Sequence, residues 1–314
     1  LWQFPYMLGQ NGGGYFVITY LIFTILIGLP VFIAELLLGR ASQRGAVGTF
    51  YALSGKDTSW HSVGWLGIFC SLVVLSYYSV VAGWGMNYFL MSVCQFYKEL
   101  SPEGIRSVYE TMYTSSSINL LWMSAFLLVT AMIVYQGIRQ GIEKWAKILT
   151  PALLLLLVGL LVYSIFLGGF GQAVKFLFQP QPGTVRPSSI LAALGLAFFT
   201  LSLGEGIMIT YGSYLEKSSD VPKTAFVVSV MDIVVSLLVA LMIFSIIFAF
   251  HLPVEGGVGL VFQTLPVLFS KLPASLLVSA VFFLLFVFTA LTSSVGILEA
   301  LVANWDGFKQ MATP

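Results

Sequence analysis

Four carboxylates fall inside long apolar stretches of the chain: Glu35, Glu205, Asp232 and Glu299. A carboxylate in the middle of a transmembrane helix costs about 2.5 to 3.5 kcal/mol on insertion scales, so each requires a compensating partner. No Lys or Arg lies within any predicted span to provide one. The acids must be protonated, hydrogen-bonded to exposed backbone, or neutralised by a bound cation. The last arrangement is the interior of a cation-coupled transporter; the second is structural. Glu35 and Glu299 sit near cytoplasmic span ends, about 12 to 16 Å from midspan at 1.5 Å per residue, where a structural role suffices. Glu205 and Asp232 are the deep pair, with Asp232 the candidate for cation binding and Glu205 for substrate choice.

Glu205 belongs to the run Phe198-Phe199-Thr200-Leu201-Ser202-Leu203-Gly204-Glu205-Gly206, where two glycines and three oxygen-bearing side chains meet at the centre of a span. A helix break is expected there, since non-helical backbone at membrane depth lines cavities and its freed carbonyls and amides bind ions and substrate. The alternative is close helix packing on small residues. A second oxygen cluster, Thr289, Thr292, Ser293 and Ser294, places the first three on one helix face. Such oxygens suit a hard cation, or serve as interhelical glue and back-bonds to the i−4 carbonyl. Tyr77 and Tyr78 lie too deep for an interfacial belt, so one phenol can donate to a substrate carboxylate or to a neighbouring carbonyl.

These residues need a membrane scaffold, and the composition provides one. Of 314 residues, 58% are hydrophobic and 9% charged, against roughly a quarter charged in a soluble domain. Seven apolar windows long enough to span a bilayer occur near 15–38, 65–93, 119–135, 148–168, 190–214, 225–250 and 274–302. Residues 1–9 read as a half-helix closed by the turn Gln10-Asn11-Gly12-Gly13-Gly14. One set of connections carries Arg40, Arg44, Lys56, Arg139, Lys144, Lys147, Lys217, Lys223 and Lys309. The other carries Lys98, Arg106, Lys175, Arg186 and Lys271, and nine against five puts the first set in the cytoplasm. Among the outer connections, 94–118 reads as short and polar, 169–189 holds Pro180, Pro182, Gly183 and Pro187, and 251–273 is expected to dip into a vestibule.

A net charge of +1 excludes a basic nucleic-acid surface and an acidic tail for a protein partner. Cys70 and Cys94, 24 positions apart on one predicted helix, are separated by roughly 36 Å and cannot pair. No Asn-x-Ser/Thr acceptor occurs, which favours a bacterial inner membrane. The chain enters at Leu1-Trp2-Gln3 without a basic leader and reads as a fragment forming one membrane domain, 1–314, without a signal peptide.

Taken together, these stretches resemble the neurotransmitter:sodium symporter family, whose bacterial members are LeuT-like. The resemblance is carried by Phe4-Pro5 with Asn11-Gly12-Gly13-Gly14, Gly28-Leu29-Pro30 with Glu35 and Gly39-Arg40, Tyr77-Tyr78, Gly141-Ile142-Glu143-Lys144 with Ala146-Lys147, Phe198 to Gly206 with Thr210-Tyr211, and Leu291-Thr292-Ser293-Ser294. It implies an all-α membrane protein built as a LeuT-like inverted-repeat bundle. On that template of twelve helices the chain begins in the outer half of helix 1 and stops just after helix 8. The unwound stretch of helix 1 and helices 9 to 12 are missing, so the piece by itself is not expected to transport.

The resemblance further implies site residues. Tyr78 would bond an amino-acid carboxylate, while the carbonyls of Phe199 and Thr200, with Ser202, would receive the amino group. Val74, Phe199, Glu205, Ser293 and Ile297 would surround the substrate side chain, with Phe199 also closing an outer lid. One sodium ion would use Thr200 and Asp232, and another Thr292, Ser293 and the carbonyl of Thr289; each site would also lack ligands from the absent part of helix 1. Glu35 would hold unwound backbone, with Gly204 and Gly206 permitting the break. Gln3 stands where the family has a gating arginine, Glu205 where it has an apolar residue, and Asp232 where it has asparagine, with Ser236 and Tyr20 close to that position. Asp232 would offset sodium charge itself, which implies chloride independence.

The function expected is sodium-coupled symport of an amino acid or similar zwitterion by alternating access. A proton-coupled or non-transporting sensor of the same fold is the alternative. An intramembrane enzyme is disfavoured because His61 and His251 lie at or outside span ends and Asp232 has no aspartate partner in the spans.

Overall fold

The computed structural model describes residues 3–55, 58–94, 101–180, 186–250, 259–270, 272 and 274–312, with side chains except at 102, 139, 260 and 306–312. Lys56, Lys98, His251 and Lys271, and the Pro182-Gly183 pair of the second outer connection, lie outside these residues.

Among the described residues the architecture is all helix, with one isolated antiparallel bridge between Gly13 and Pro180. Six helices are long and apolar enough to cross a membrane: α2 (Gly14–Ser42), α4 (His61–Val93), α6 (Ser116–Tyr135), α7 (Gln140–Ile165), α11 (Val221–Ala249) and α13 (Ser275–Ala312, apolar as far as Trp305). Between them lie α1 (Gln3–Gln10), α3 (Ala46–Ser54), α5 (Pro102–Thr114), α8 (Phe170–Phe178), α9 (Pro187–Thr200), α10 (Ile207–Ser213) and α12 (Val261–Ser270). The span expected at 190–214 is thus two helices, α9 and α10, on either side of a break. The connections 94–118 and 169–189, expected on the outer side, contain α5 and α8. Both are amphipathic and too short to register as spans, and Ser101 caps α5 by accepting the Gly104 N–H at 3.1 Å.

Proline explains an irregularity in α2. Pro30 lacks an N–H and its ring crowds the carbonyl four residues back, and the preceding turn widens to π geometry over Thr24–Gly28, with the Leu29 N–H donating to the Thr24 carbonyl.

The chain divides into two compact units, one of Leu1–Ile18, Tyr78–Ile190 and Val235–Thr292, the other of Thr19–Tyr77, Leu191–Val234 and Ser293–Pro314. The first has a core of Ala82, Phe126, Leu149, Val287, Ala290 and Leu291, on which Tyr78 packs. Buried hydroxyls in this unit pair internally: Tyr88 donates to the Phe262 carbonyl at 2.8 Å and Ser92 meets Ser279 at 2.7 Å.

The second unit is built on Phe32, Leu36, Leu201, Leu203, Val221 and Ala225. Here α2 and α10 cross backbone to backbone, since a Cβ on Gly39 would fall 1.8 Å from the Ile209 oxygen and one on Gly212 would fall 2.4 Å from the Leu36 oxygen. Without hydrophobic drive between helices in lipid, such close approach of small residues is what holds them. At the start of α3, Asn304 of α13 accepts the Val47 N–H at 2.8 Å and so caps a helix whose own N-cap, Gly45, has no side chain to do it.

Candidate functional site

The centre of interest is the seam between α9 and α10. After Thr200 the backbone departs from helix through Ser202 (φ 54°), Gly204 (φ 77°) and Gly206 (φ 73°). Left-handed values are unstrained at glycine, which is why two glycines within three residues permit a break that a uniform Leu/Ala/Val run would not. The freed groups are caught by side chains. Glu35 Oε1 accepts the Gly204 N–H at 2.8 Å, while Glu35 Oε2 is buried without a hydrogen bond among the described residues. Ser71 donates to the Glu205 carbonyl at 2.7 Å. The Phe199 carbonyl accepts the Ser202 N–H at 3.2 Å and the Phe198 carbonyl the Leu203 N–H at 2.9 Å, so the break is a compact turn rather than a gap.

Three oxygens gather at the end of α9. Tyr20, fully buried, donates its hydroxyl to Asp232 Oδ2 at 3.1 Å and lies 3.1 Å from Thr200 Oγ1. They come from α2, α9 and α11, so a carboxylate, a phenol and a threonine hydroxyl from three helices converge in one unit. Oxygen-only clusters of this type suit hard monovalent cations.

The other expected residues are placed as follows. Glu205 is about nine-tenths buried, and its carboxyl makes no hydrogen bond among the described residues. Val74 is half-buried, Ile297 buried, Phe199 37% exposed and Ser293 exposed. Tyr77 and Tyr78, equivalent in sequence, differ: Tyr77 is 44% exposed, whereas Tyr78 packs on the core of the first unit. In that unit Thr289 Oγ1 donates to the Leu285 carbonyl and Thr292 Oγ1 to the Thr289 carbonyl at 2.9 Å, so both hydroxyl protons are used within the helix and the oxygens keep lone pairs. Gln3 Oε1 is buried without a partner among the described residues.

Two residues were missed by sequence reasoning. Ser71 gave no signal beyond being a small polar residue in an apolar span. Tyr214 donates to Glu299, and nothing in the sequence singled it out.

The model of the sodium:neurotransmitter symporter family matches residues 1–103 and 103–313. The chain belongs to that family. Relatives in the symporter family include the uncharacterized sodium-dependent transporter YhdH of Bacillus subtilis (strain 168), 37% identical over 304 residues that cover 97% of this chain and 67% of the relative. A Haemophilus influenzae sodium-dependent transporter is 31% identical over 96% of this chain and 68% of its own length. A mouse sodium-dependent neutral amino acid transporter, B(0)AT2, is 30% identical over 79% of this chain and 37% of its own. Among solved structures, MhsT in complex with L-phenylalanine superposes with a TM-score of 0.90 at 38% identity, covering 97% of this chain and 69% of MhsT. The chain thus spans about two thirds of its bacterial relatives.

Membership settles several expectations. The fold is LeuT-like, the chain is an integral membrane protein, and the family is one of sodium-coupled transporters rather than enzymes, which removes the intramembrane protease.

Proposed function

We propose that the protein of which this chain is part imports an amino acid, or a similar small zwitterion, with sodium by alternating access, without requiring chloride. The observation that carries the reading is the cluster of Tyr20, Thr200 and Asp232 beside the helix break. A half-buried carboxylate with two hydroxyls supplies charge and hard oxygens together, so the residues fit sodium, and Asp232 offsets its charge where a neutral side chain would call for an external anion. Thr200 and Asp232 form one sodium site. Thr289, Thr292 and Ser293 form the other, for which the lone pairs left on the two threonine hydroxyls are favourable. Sodium supplies the gradient that drives the cycle; the chain's own residues orient the substrate and hold the break.

In the substrate pocket Tyr78 bonds the carboxylate, and the carbonyls of Phe199 and Thr200 with Ser202 receive the amino group. Val74, Phe199, Ser293 and Ile297 shape the side-chain space. The Glu205 carboxyl, which meets no donor among the described residues, favours a cationic or hydroxyl-bearing substrate side chain over a plain aliphatic one. B(0)AT2 is named for neutral amino acids and MhsT was solved with L-phenylalanine, which supports the amino-acid class. The membrane is the bacterial inner membrane, and Glu35 and the two glycines hold the break in register.

The test is radiolabelled amino-acid uptake by the full-length protein in proteoliposomes, following a thermal-shift screen of the twenty amino acids with and without sodium. A ligand stabilises only the state it binds, so true substrates raise the melting temperature in sodium. Uptake indifferent to an imposed sodium gradient sinks the proposal, and uptake driven by pH alone moves the coupling to a proton.

A further inference from the structure

The connection between α6 and α7 contains a cleft of about 500 Å³ lined by Gln136, Gln140, Glu143, Lys144, Lys147 and Ile148. Its position is set by its neighbours, since α6 ends as a span at Tyr135 and α7 begins as one at Gln140, placing the cleft where hydrocarbon gives way to headgroups. Tyr135, 93% exposed, and Trp145, also exposed, are the amphipathic rings expected at that depth. Ile138 and Ile148 extend an exposed apolar flank beside it.

The lining is polar in a selective way. Lys147 Nζ lies 2.6 Å from Glu143 Oε1, so these charges cancel. Lys144 has no ion pair among the described residues and is the uncompensated cation of the cleft. Lys144, Lys147 and Ile148 line the cleft from the first α-helical turns of α7 and Gln140 from the π-helical turn before them, while Gln136 brings a second carboxamide from just beyond α6.

We propose that this cleft seats the headgroup of an anionic phospholipid. A phosphodiester carries one negative charge and acceptor oxygens, matching one free ammonium and two carboxamide N–H donors. The exposed apolar flank continues the site toward an acyl chain, which a soluble phosphate ion has no use for. The site is independent of the transport reading: it concerns the lipid that bounds the protein on the side with the excess of Lys and Arg.

The experiment uses the full-length protein reconstituted in phosphatidylcholine vesicles with an admixture of phosphatidylglycerol, brominating one lipid or the other at equal mole fraction. The readout is the quenching of Trp145 fluorescence, isolated by subtracting the Trp145→Phe signal. Brominated phosphatidylglycerol should quench more strongly than brominated phosphatidylcholine, and Lys144→Gln should reduce that preference about fivefold, the factor equivalent to ~1 kcal/mol for one cation near an anionic surface. Glu143→Gln frees Lys147 and should raise it by a similar factor, an increase that damaged folding does not produce. Equal quenching by the two lipids in the wild type, or a preference unchanged in Lys144→Gln, overturns the proposal. So does displacement of the lipid by inorganic phosphate but not by sulfate at matched ionic strength, which would make the cleft a free-phosphate site.

Discussion

The hydroxyl of Tyr20 donates to the Asp232 carboxylate at 3.1 Å while standing 3.1 Å from Thr200, so one phenol on α2 ties the acid of α11 to the last residue of α9. This orients Asp232 before any ion arrives, and hydrogen bonds to a charged group are worth about 1.5 to 3 kcal/mol. Asp232→Asn keeps the shape and removes the charge. Uptake by the wild type should be unchanged when chloride is replaced by gluconate, whereas the variant should need about tenfold more sodium for half-maximal uptake in gluconate and recover in part when chloride is restored. Equal sodium activation of wild type and variant in gluconate would show that Asp232 supplies no charge to the ion.

Tyr20→Phe tests the tether separately. It leaves the ring and deletes the donor, and should lower stability by about 1.5 to 3 kcal/mol, visible as a lower melting temperature in detergent without sodium.

Thr292→Ala and Ser293→Ala should each weaken sodium activation with little effect on the melting temperature of the sodium-free protein. Thr292 loses one intrahelical hydroxyl bond and Ser293 is exposed, so a purely structural role predicts no change in the sodium curve.

Glu205→Phe should shift the substrate profile from cationic or hydroxylated amino acids toward aliphatic and aromatic ones, measured by competition against a radiolabelled substrate. A profile matching the wild type would assign Glu205 to the helix break instead.

Gly206→Ala should destabilise the protein by about 1 to 2 kcal/mol from the left-handed backbone alone. The added Cβ would also stand 2.9 Å from the Ala46 Cβ, so the melting temperature should fall further than for Gly195→Ala in α9, where no atom lies within 4 Å. Gly195 becomes a better helix former in the same exchange, which sharpens the contrast.

Most of the fold was legible in one dimension. Six apolar runs became spanning helices near their expected positions, with α7 starting earlier at Gln140 and α13 continuing to Ala312, because lipid forces every spanning backbone to satisfy itself as a helix and length then follows from bilayer thickness. The break was legible for a related reason: Gly204 and Gly206 release the backbone beside polar side chains that lipid would otherwise exclude. Helices α5 and α8 were harder to see, since each shows its apolar face to protein and its polar face outward, and over so few residues that periodicity resembles a loop.

The site divides along the same line. Sequence alone determined that the chain is a membrane protein, that its acids lack cationic partners within the spans, and that the span at 190–214 breaks, because each is a property of local composition set against the cost of polar groups in hydrocarbon. Only the tertiary structure decided which oxygens meet. Tyr20 is 180 residues from Thr200 and 212 from Asp232, and nothing local specifies that three helices turn these atoms toward one point. It also parted Tyr77 from Tyr78 and gave Glu35 the Gly204 amide and Glu299 the Tyr214 hydroxyl, while the carboxyl of Glu205 met no donor among the described residues. Burial in lipid selects residue type at each position, but the choice among equally buried partners is made by helix packing.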